Sequence, residues 1–421
     1  MNLRSSRAAI GAAFLVQGLL FISLTTRMPV IADLFDLGEL ALSGLMLMMV
    51  LLAGVGSVAA ESWARRLGSA HALRAALVLL ATGFAVMGWS VRETGTFGLF
   101  VVGLALYGLA LGAVDATTNM QAVALEHRLA RPVLPSFHAW WTLGGILATL
   151  FTLGLGDRLG SGPWGAWLLA VPVVAAASGP LLAQEPPDAA ANDTSTESLG
   201  IPWRAIVFVG LALIVFYMVD TATTAWGPLY LSSDTVFAEP AHDASLFALA
   251  SLPYLIATLA ARLVGDRSTA RFGARSMVRA GAVVAFVGLV AVVFAPTWPV
   301  AVIGFFVVGL GMAVVAPLSF SAAARLAGDE SNPLLRRRRV DAAIARFNQF
   351  NYVGALLGAV LTGAIGAGNL RIGYAVPMVL VLALVPLARH FSGAPGAPED
   401  TVAHEVPVAP ENSLATGEAA T

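Results

Sequence analysis

Long apolar runs separated by short polar interruptions make up most of this chain. Runs rich in Leu, Ala, Val and Gly cover approximately 9–27, 40–60, 71–91, 97–121, 136–155, 163–182, 204–231, 244–264, 277–296, 298–326, 342–366 and 372–391. A helix needs about 20 consecutive apolar residues to cross the hydrocarbon layer of a bilayer. Each run approaches that length, so the pattern predicts twelve membrane-spanning helices. Membrane barrels would instead show alternating segments of roughly ten residues, and these runs are continuous. The expected class is therefore an all-α membrane protein. The basic start before the first run resembles a signal peptide, but that run ends in Thr25-Thr-Arg-Met-Pro29 without a small-residue cleavage site, so it reads as an uncleaved span.

The longest internal polar interruption is Gln184-Glu-Pro-Pro-Asp-Ala-Ala-Ala-Asn-Asp-Thr-Ser-Thr-Glu-Ser-Leu-Gly200, too poor in large apolar side chains to pack. It divides the chain into an N-terminal six-helix bundle (1–183), a linker (184–203), a C-terminal six-helix bundle (204–391) and a polar tail (392–421) that reads as disordered. The two bundles carry matching residues in the same order. Glu61-x4-Arg66-Leu-Gly68 matches Asp266-x4-Arg271-Phe-Gly273, Phe137-His138-x5-Gly144 matches Phe347-Asn348-x5-Gly354, and Gly11 and Pro29 match Gly210 and Pro228. A duplicated, pseudo-symmetric unit of this kind is a transporter architecture.

Charge then orients the helices. All 24 basic residues are arginine, and all but Arg27, Arg92, Arg158 and Arg371 fall on one side of the expected spans. By the positive-inside rule that side is cytoplasmic, with both termini there. The run Arg336-Arg-Arg-Arg339 reads as a topology anchor in a short inner loop rather than a nucleic-acid site. With no cysteine there is no disulfide or thiolate chemistry. No metal-ligand cluster, nucleotide-binding loop or nucleophile–base pair is found, so neither enzyme activity nor a bound cofactor or metal is expected.

The acid-x4-Arg segments after the second and eighth runs resemble the signature loop of the major facilitator superfamily. The second copy, with Arg262 and Gly265-Asp266-Arg267, follows that loop; the first has Glu61-Ser-Trp63 where Gly-x-x-x-Asp-Arg is usual. Asp115-Ala-Thr-Thr-Asn119 and Ser136-Phe-His-Ala-Trp-Trp-Thr-Leu-Gly-Gly145 are similar to patterns of the fucose-proton symporter-like branch. The resemblance implies twelve helices working by alternating access. It also implies gating roles for the loop residues Glu61, Arg66, Asp266 and Arg271, proton coupling at Asp115 and contact between Asn119 and sugar hydroxyls. The branch's first-span acid has no counterpart here, where Gln17 and Arg27 stand instead.

The residues themselves point the same way. A carboxylate in the middle of a span costs roughly 2.5–3.5 kcal/mol on insertion scales and calls for a reason. Only Asp115 and Asp220 lie deep in apolar runs. Gly108, Gly112, Asp115 and Asn119 share one helical stripe, which is either a small-residue packing face with a satisfied acid or a groove in which a carboxylate exchanges protons beside a solute. In the second bundle Ala316 and Phe320 stand opposite Asp115 and Asn119, so this helix does not require the polar pair. His138 is a candidate relay or inner gate, or an interface histidine; Trp140 and Trp141 read as interfacial anchors. Gly227-Pro228 is expected to loosen or break its span. Nearby, Asp220 and Trp226 are candidate substrate contacts, and Asp220 is alternatively the partner of Arg27 in an outer gate. Asn348, Asn351 and Tyr352, with Gln349, form a polar cluster suited either to a hydroxylated or amide-bearing solute or to helix–helix hydrogen bonding.

The resulting expectation is a proton-coupled symporter of a small polar solute, acting as a monomer in a bacterial inner membrane. Its partners are the solute, protons and lipid, not nucleic acid. The alternatives are a proton-antiporting exporter of drugs or metabolites and a non-transporting membrane sensor.

Overall fold

Leu, Ala, Val and Gly in unbroken runs leave no periodic polar face, and in lipid every backbone N–H and C=O must be satisfied within the segment, so such runs become helices. The computed structural model describes residues 3–25, 31, 34–37, 39–91, 96–155, 199–231, 233–240, 248–366 and 368–391. Among them there is no strand, and eight helical stretches are long and apolar enough to cross a membrane. The expected sixth span, the 184–198 part of the linker, the tail, and Arg27, Pro29, Arg92 and Arg158 lie outside the described residues.

Among the described residues, five helices precede residue 156: α1 (Leu3–Thr25), α2 (Glu39–Leu67), α3 (Ser69–Trp89), α4 (Phe97–Leu129) and α5 (Leu134–Leu155). After residue 199 come α6 (Trp203–Leu231), α7 (Ala248–Phe272), α8 (Ala274–Val293), α9 (Trp298–Met312), α10 (Val315–Ala327), α11 (Pro333–Phe347), α12 (Gln349–Ile365) and α13 (Leu370–Leu380), the last extended by short helical turns to His390. The earlier helices pack chiefly through α3 on α4, α2 on α4 and α1 on α5; the later ones through α8 on α9, α6 on α12 and α7 on α9.

Sequence-matched positions do the same structural work in both sets. Gly68 and Gly273 have φ of 78° and 76°, a conformation that disfavours any residue with a Cβ, and each lets the chain turn sharply into the next helix. Gly144 lies against the Leu15 carbonyl of α1, and its match Gly354 lies against the Ile214 carbonyl of α6. Gly83 and Gly103 seat α3 against α4 as Gly288 and Gly304 seat α8 against α9. Small residues at such crossings let backbones approach closely, the main source of attraction between helices in lipid.

One expected span is interrupted and two local expectations are corrected. The expected span 298–326 is one apolar helical stretch, Trp298–Ala327, whose helix is interrupted at Ala313 and Val314, between α9 and α10. The cause is Pro317, which has no N–H to offer the Ala313 carbonyl four residues earlier. Gly227-Pro228 does not break α6, which continues to Leu231, so only three residues of helix lie beyond the proline. Arg336 to Arg339 lie in α11 rather than in a loop. Asn332 caps that helix by accepting from Leu334 and Leu335 N–H.

Candidate functional site

Asp115 lies midway along α4, and its carboxylate is held from both sets of helices. Gln17 Nε2 of α1 donates to Oδ1 at 3.0 Å. Asn348 Nδ2, at the junction of α11 and α12, donates to Oδ2 at 2.7 Å, and Asn351 Nδ2 donates to the same oxygen at 3.2 Å. Asn348 also reaches the Tyr352 hydroxyl at 3.3 Å. Asn348 sits where two helices meet, which frees its side chain to turn toward α4. The residue types explain the geometry: a carboxylate that accepts several N–H groups is stabilised in a site closed to bulk water, because hydrogen bonds to an ion are about twice as strong as neutral ones.

Asn119, one turn further along α4, is fully buried, donates its Nδ2 to the Asp115 backbone carbonyl at 2.9 Å, and leaves Oδ1 without a donor. On α6, Asp220 Oδ1 accepts from the Tyr254 hydroxyl of α7 at 2.6 Å. Trp226 is committed elsewhere: its indole N–H donates to the Ala359 carbonyl at 3.0 Å, and its ring lies against Gly363 of α12.

His138 is buried on α5. Its ring lies between Phe14 at 5.1 Å and Phe320 at 6.1 Å, with Nε2 unpartnered. No hydrogen bond joins that ring to Asp115 among the described residues. What reaches His138 is Arg262 of α7, whose Nη1 donates to the His138 carbonyl at 3.2 Å and to Thr142 Oγ1 at 2.5 Å. Arg262 Nε takes the Ala313 carbonyl at 2.8 Å, the group that Pro317 leaves without a helical donor. Sequence reasoning placed Arg262 in the signature loop and gave it no task. Its signal was an arginine four residues before Asp266, at the end of the apolar stretch 248–261 of α7.

The loop acids also bridge the two sets. Glu61, nearly buried, accepts from Arg346 of α11 through both oxygens, at 3.0 and 3.2 Å, and from Arg65 at 2.9 Å. Asp266 Oδ1 accepts from the Ser136 backbone N–H at 3.0 Å, and its Oδ2 lies 3.6 Å from Arg7. Ser136 is in the first turn of α5, where backbone N–H groups lack helical partners. Glu126 of α4 takes two more N–H groups at that helix entry, those of Val133 and Leu134. Arg66 is exposed, and Arg271 stacks over the Phe272 ring at 5.2 Å. Asp220 has no described neighbour from the Arg27 segment, since Arg27 lies outside the described residues.

A spatial rule emerges. Hydrogen bonds between the helices before residue 156 and those after 199 run from mid-bundle, at Asp115 and at Gly54 with Gln349, to the arginine-rich end, at Glu61, Ser57 with Ala345, and Ser136. The two sets are therefore latched at mid-bundle and at the arginine-rich end, and Asp115 is one of the mid-bundle latches.

This chain is similar to several known proteins. An uncharacterized transporter, y4wD, of Sinorhizobium fredii is 28% identical over 324 residues, covering 75% of this chain and 81% of that protein. The membrane protein MosC of Rhizobium meliloti is 26% identical over 403 residues, covering 92% and 91%. Among solved structures, the E. coli fucose:proton symporter FucP superposes with a TM-score of 0.70 at 17% identity, over 91% of this chain and 98% of its own. The proton:xylose symporter XylE gives 0.68 at 14% identity, over 93% and 96%. These likenesses carry the fold. The family model of the Major Facilitator Superfamily matches residues 13–330 and 211–410, and the chain belongs to that superfamily of membrane transporters.

Proposed function

We propose that this protein is a proton-coupled secondary transporter of a small polar solute. It would have twelve helices in two six-helix bundles, residues 1–183 and 204–391, joined by the 184–203 linker, and would act as a monomer in a bacterial inner membrane with both termini cytoplasmic. The observation that carries the reading is Asp115, which accepts from Gln17 of one bundle and from Asn348 and Asn351 of the other. The matched glycine crossings support two related bundles.

The mechanism follows from the bonding. As an anion, Asp115 binds its amide donors strongly and holds the bundles together at mid-depth. A proton on Asp115 removes the charge and weakens those bonds toward the neutral range. A solute in the same region supplies contacts of its own, and the pair biases which end of the bundle pair opens. Opening the arginine-rich end also requires separating Glu61 from Arg346, Ser57 from Ala345, Gly54 from Gln349, Asp266 from Ser136 and Arg7, and Arg262 from both His138 and Thr142. The FucP and XylE names describe proton symporters, and symport is the direction favoured here. Proteoliposomes enclosing a pH-sensitive dye test this against a panel of sugars, sugar alcohols and amines. Symport acidifies the lumen when the right solute is added outside; alkalinisation would overturn symport in favour of antiport, and no proton movement with Asp115→Asn alone ties the coupling to that acid.

A further inference from the structure

Several arginines at the arginine-rich end have acidic partners. Arg7 lies near Asp266, Arg65 and Arg346 hold Glu61, Arg337 faces Asp341 and Arg339 faces Glu330. The corner where α7 turns into α8 differs. Arg267, Arg271, Arg275 and Arg279 are all exposed there, and none of them forms an ion pair with an acid among the described residues. Asp266, the acid beside them in the chain, turns its oxygens to Ser136 and Arg7. The matching turn between α2 and α3 has Ser62, Arg66, Ala70 and Arg74 at the corresponding positions, so a turn of this kind forms without arginine at the places of Arg267 and Arg275.

The two helices give this charge a direction. Leu263, Arg267 and Arg271 of α7 follow one another at intervals of four, as do Arg275, Arg279, Val283 and Val287 of α8, and that spacing keeps side chains along one helix face. Leu263, Val283 and Val287 are 60%, 53% and 55% exposed, and Phe272 at the turn is 57% exposed. Each row therefore passes from guanidinium groups at the helix end to bare apolar side chains deeper in the span. Arg271 stacks over the Phe272 ring at 5.2 Å, so the charged and apolar parts are in direct contact. On a membrane-spanning helix such apolar side chains face acyl chains, and arginines at their margin lie at the depth of the headgroups.

The chemistry selects the headgroup. A guanidinium fork offers parallel N–H donors that match the oxygens of a phosphate. Phosphatidylethanolamine and phosphatidylcholine each bring a cation of their own into a cluster that has no anion, whereas a headgroup of net negative charge brings none. An acidic protein segment would answer the arginines but leave Leu263, Val283 and Val287 without an apolar partner. We propose that the α7–α8 corner binds an anionic phospholipid, its phosphate held by Arg267, Arg271, Arg275 and Arg279 and its acyl chains lying along Leu263, Phe272, Val283 and Val287. This site is separate from Asp115 and does not depend on the transport reading.

The test uses the purified full-length protein in detergent, titrated in turn with phosphatidylglycerol, phosphatidylethanolamine and phosphatidylcholine of identical acyl chains, with the affinity of each read by native mass spectrometry. Phosphatidylglycerol is expected to bind about tenfold or more tightly than the other two, because each basic residue at the site adds to the attraction for an anionic headgroup. Two triple variants locate the site. Combining Arg271→Gln, Arg275→Gln and Arg279→Gln should bring the preference below about threefold, whereas combining Arg131→Gln, Arg204→Gln and Arg336→Gln, which removes the same charge from other exposed positions at that end, should preserve it. Arg271→Lys, Arg275→Lys and Arg279→Lys together keep the charge and should retain most of the preference. Equal affinity for the three lipids, equal losses in the two glutamine triples, or loss in the lysine triple overturns the proposal. So does displacement of phosphatidylglycerol by an equal concentration of glycerol 3-phosphate, which would make the ligand a free phosphate ester. A rise of about tenfold in phosphatidylglycerol affinity on combining Glu399→Gln, Asp400→Asn, Glu405→Gln, Glu411→Gln and Glu418→Gln would make the chain's own acidic tail the occupant and overturn the proposal as well.

Discussion

Asn348 donates to Asp115 Oδ2 at 2.7 Å, joining residues 233 positions apart and tying α12 to α4. Asn351 shares the same oxygen, so the two amides form one clamp on one carboxylate. Hydrogen bonds to a charged group contribute about 1.5–3 kcal/mol. Asn348→Ala should therefore shift the equilibrium toward opening at the arginine-rich end by roughly tenfold or more. The chain has no cysteine, so a single Ser57→Cys, placed where Ser57 bonds the Ala345 carbonyl, reports the opening by its rate of thiol labelling. Equal labelling with and without Asn348→Ala would refute the clamp.

Glu61 and Arg346 make the two-pronged tie nearer that end. Arg346 is 48% exposed, so solvent screening keeps the pair near 1 kcal/mol or below. Glu61→Gln is expected to raise Ser57→Cys labelling several-fold less than Asn348→Ala does. Raising the salt concentration should speed labelling in the parent and have little effect in Glu61→Gln. A parent rate indifferent to salt would argue that the pair is bystander geometry.

How far all this could be read beforehand depends on the residue. Asp115 and Asp220 announce themselves because a carboxylate within an apolar run has few explanations, and the asparagines of α12 stand out for the same reason. Their partnership does not, because it spans 233 positions and depends on how helices cross. Trp226 looked like a cavity residue by sequence position, yet its indole is spent on the Ala359 carbonyl; the direction of a side chain around a helix is set by packing that hydropathy does not record. The break between α9 and α10 was hidden because both sides are equally apolar. Gly227-Pro228 suggested a break that did not form, and only three residues of α6 follow that proline, so there is little helix beyond it to displace. The signature loop was legible as a pattern, but the role of Arg262 depends on Pro317, three helices further along the chain.

Close glycine crossings give a separate prediction about assembly. A Cβ at Gly144 would press on the Leu15 carbonyl, and one at Gly354 on the Ile214 carbonyl, whereas Gly98 has open space around it. Overpacking costs about 1–3 kcal/mol. Gly144→Ala and Gly354→Ala should each lower the detergent melting temperature by several degrees, with Gly98→Ala near the parent. If all three variants melt together, the crossings are looser than described.

The last relationship to test is the three-part contact among Pro317, Ala313 and Arg262. Proline at 317 leaves the Ala313 carbonyl free, and Arg262 Nε occupies it at 2.8 Å; the same guanidinium then reaches His138 and Thr142 of α5. Pro317→Ala restores an N–H that competes for the carbonyl, so the α9–α10 junction gains a helical bond while Arg262 loses an anchor. Arg262→Ala removes the arginine's bonds to all three partners. If the chain of contacts is as described, the losses must be non-additive: the double variant should differ from the sum of the single variants by about 0.5–3 kcal/mol, the range for residues sharing a partner. Thermal unfolding of the four proteins measures that coupling. Restoring the N–H should also loosen α5 from α7, so Thr142→Cys ought to label faster in Pro317→Ala than in the parent protein. Additive losses with unchanged labelling would mean that Pro317 shapes the helix and nothing more.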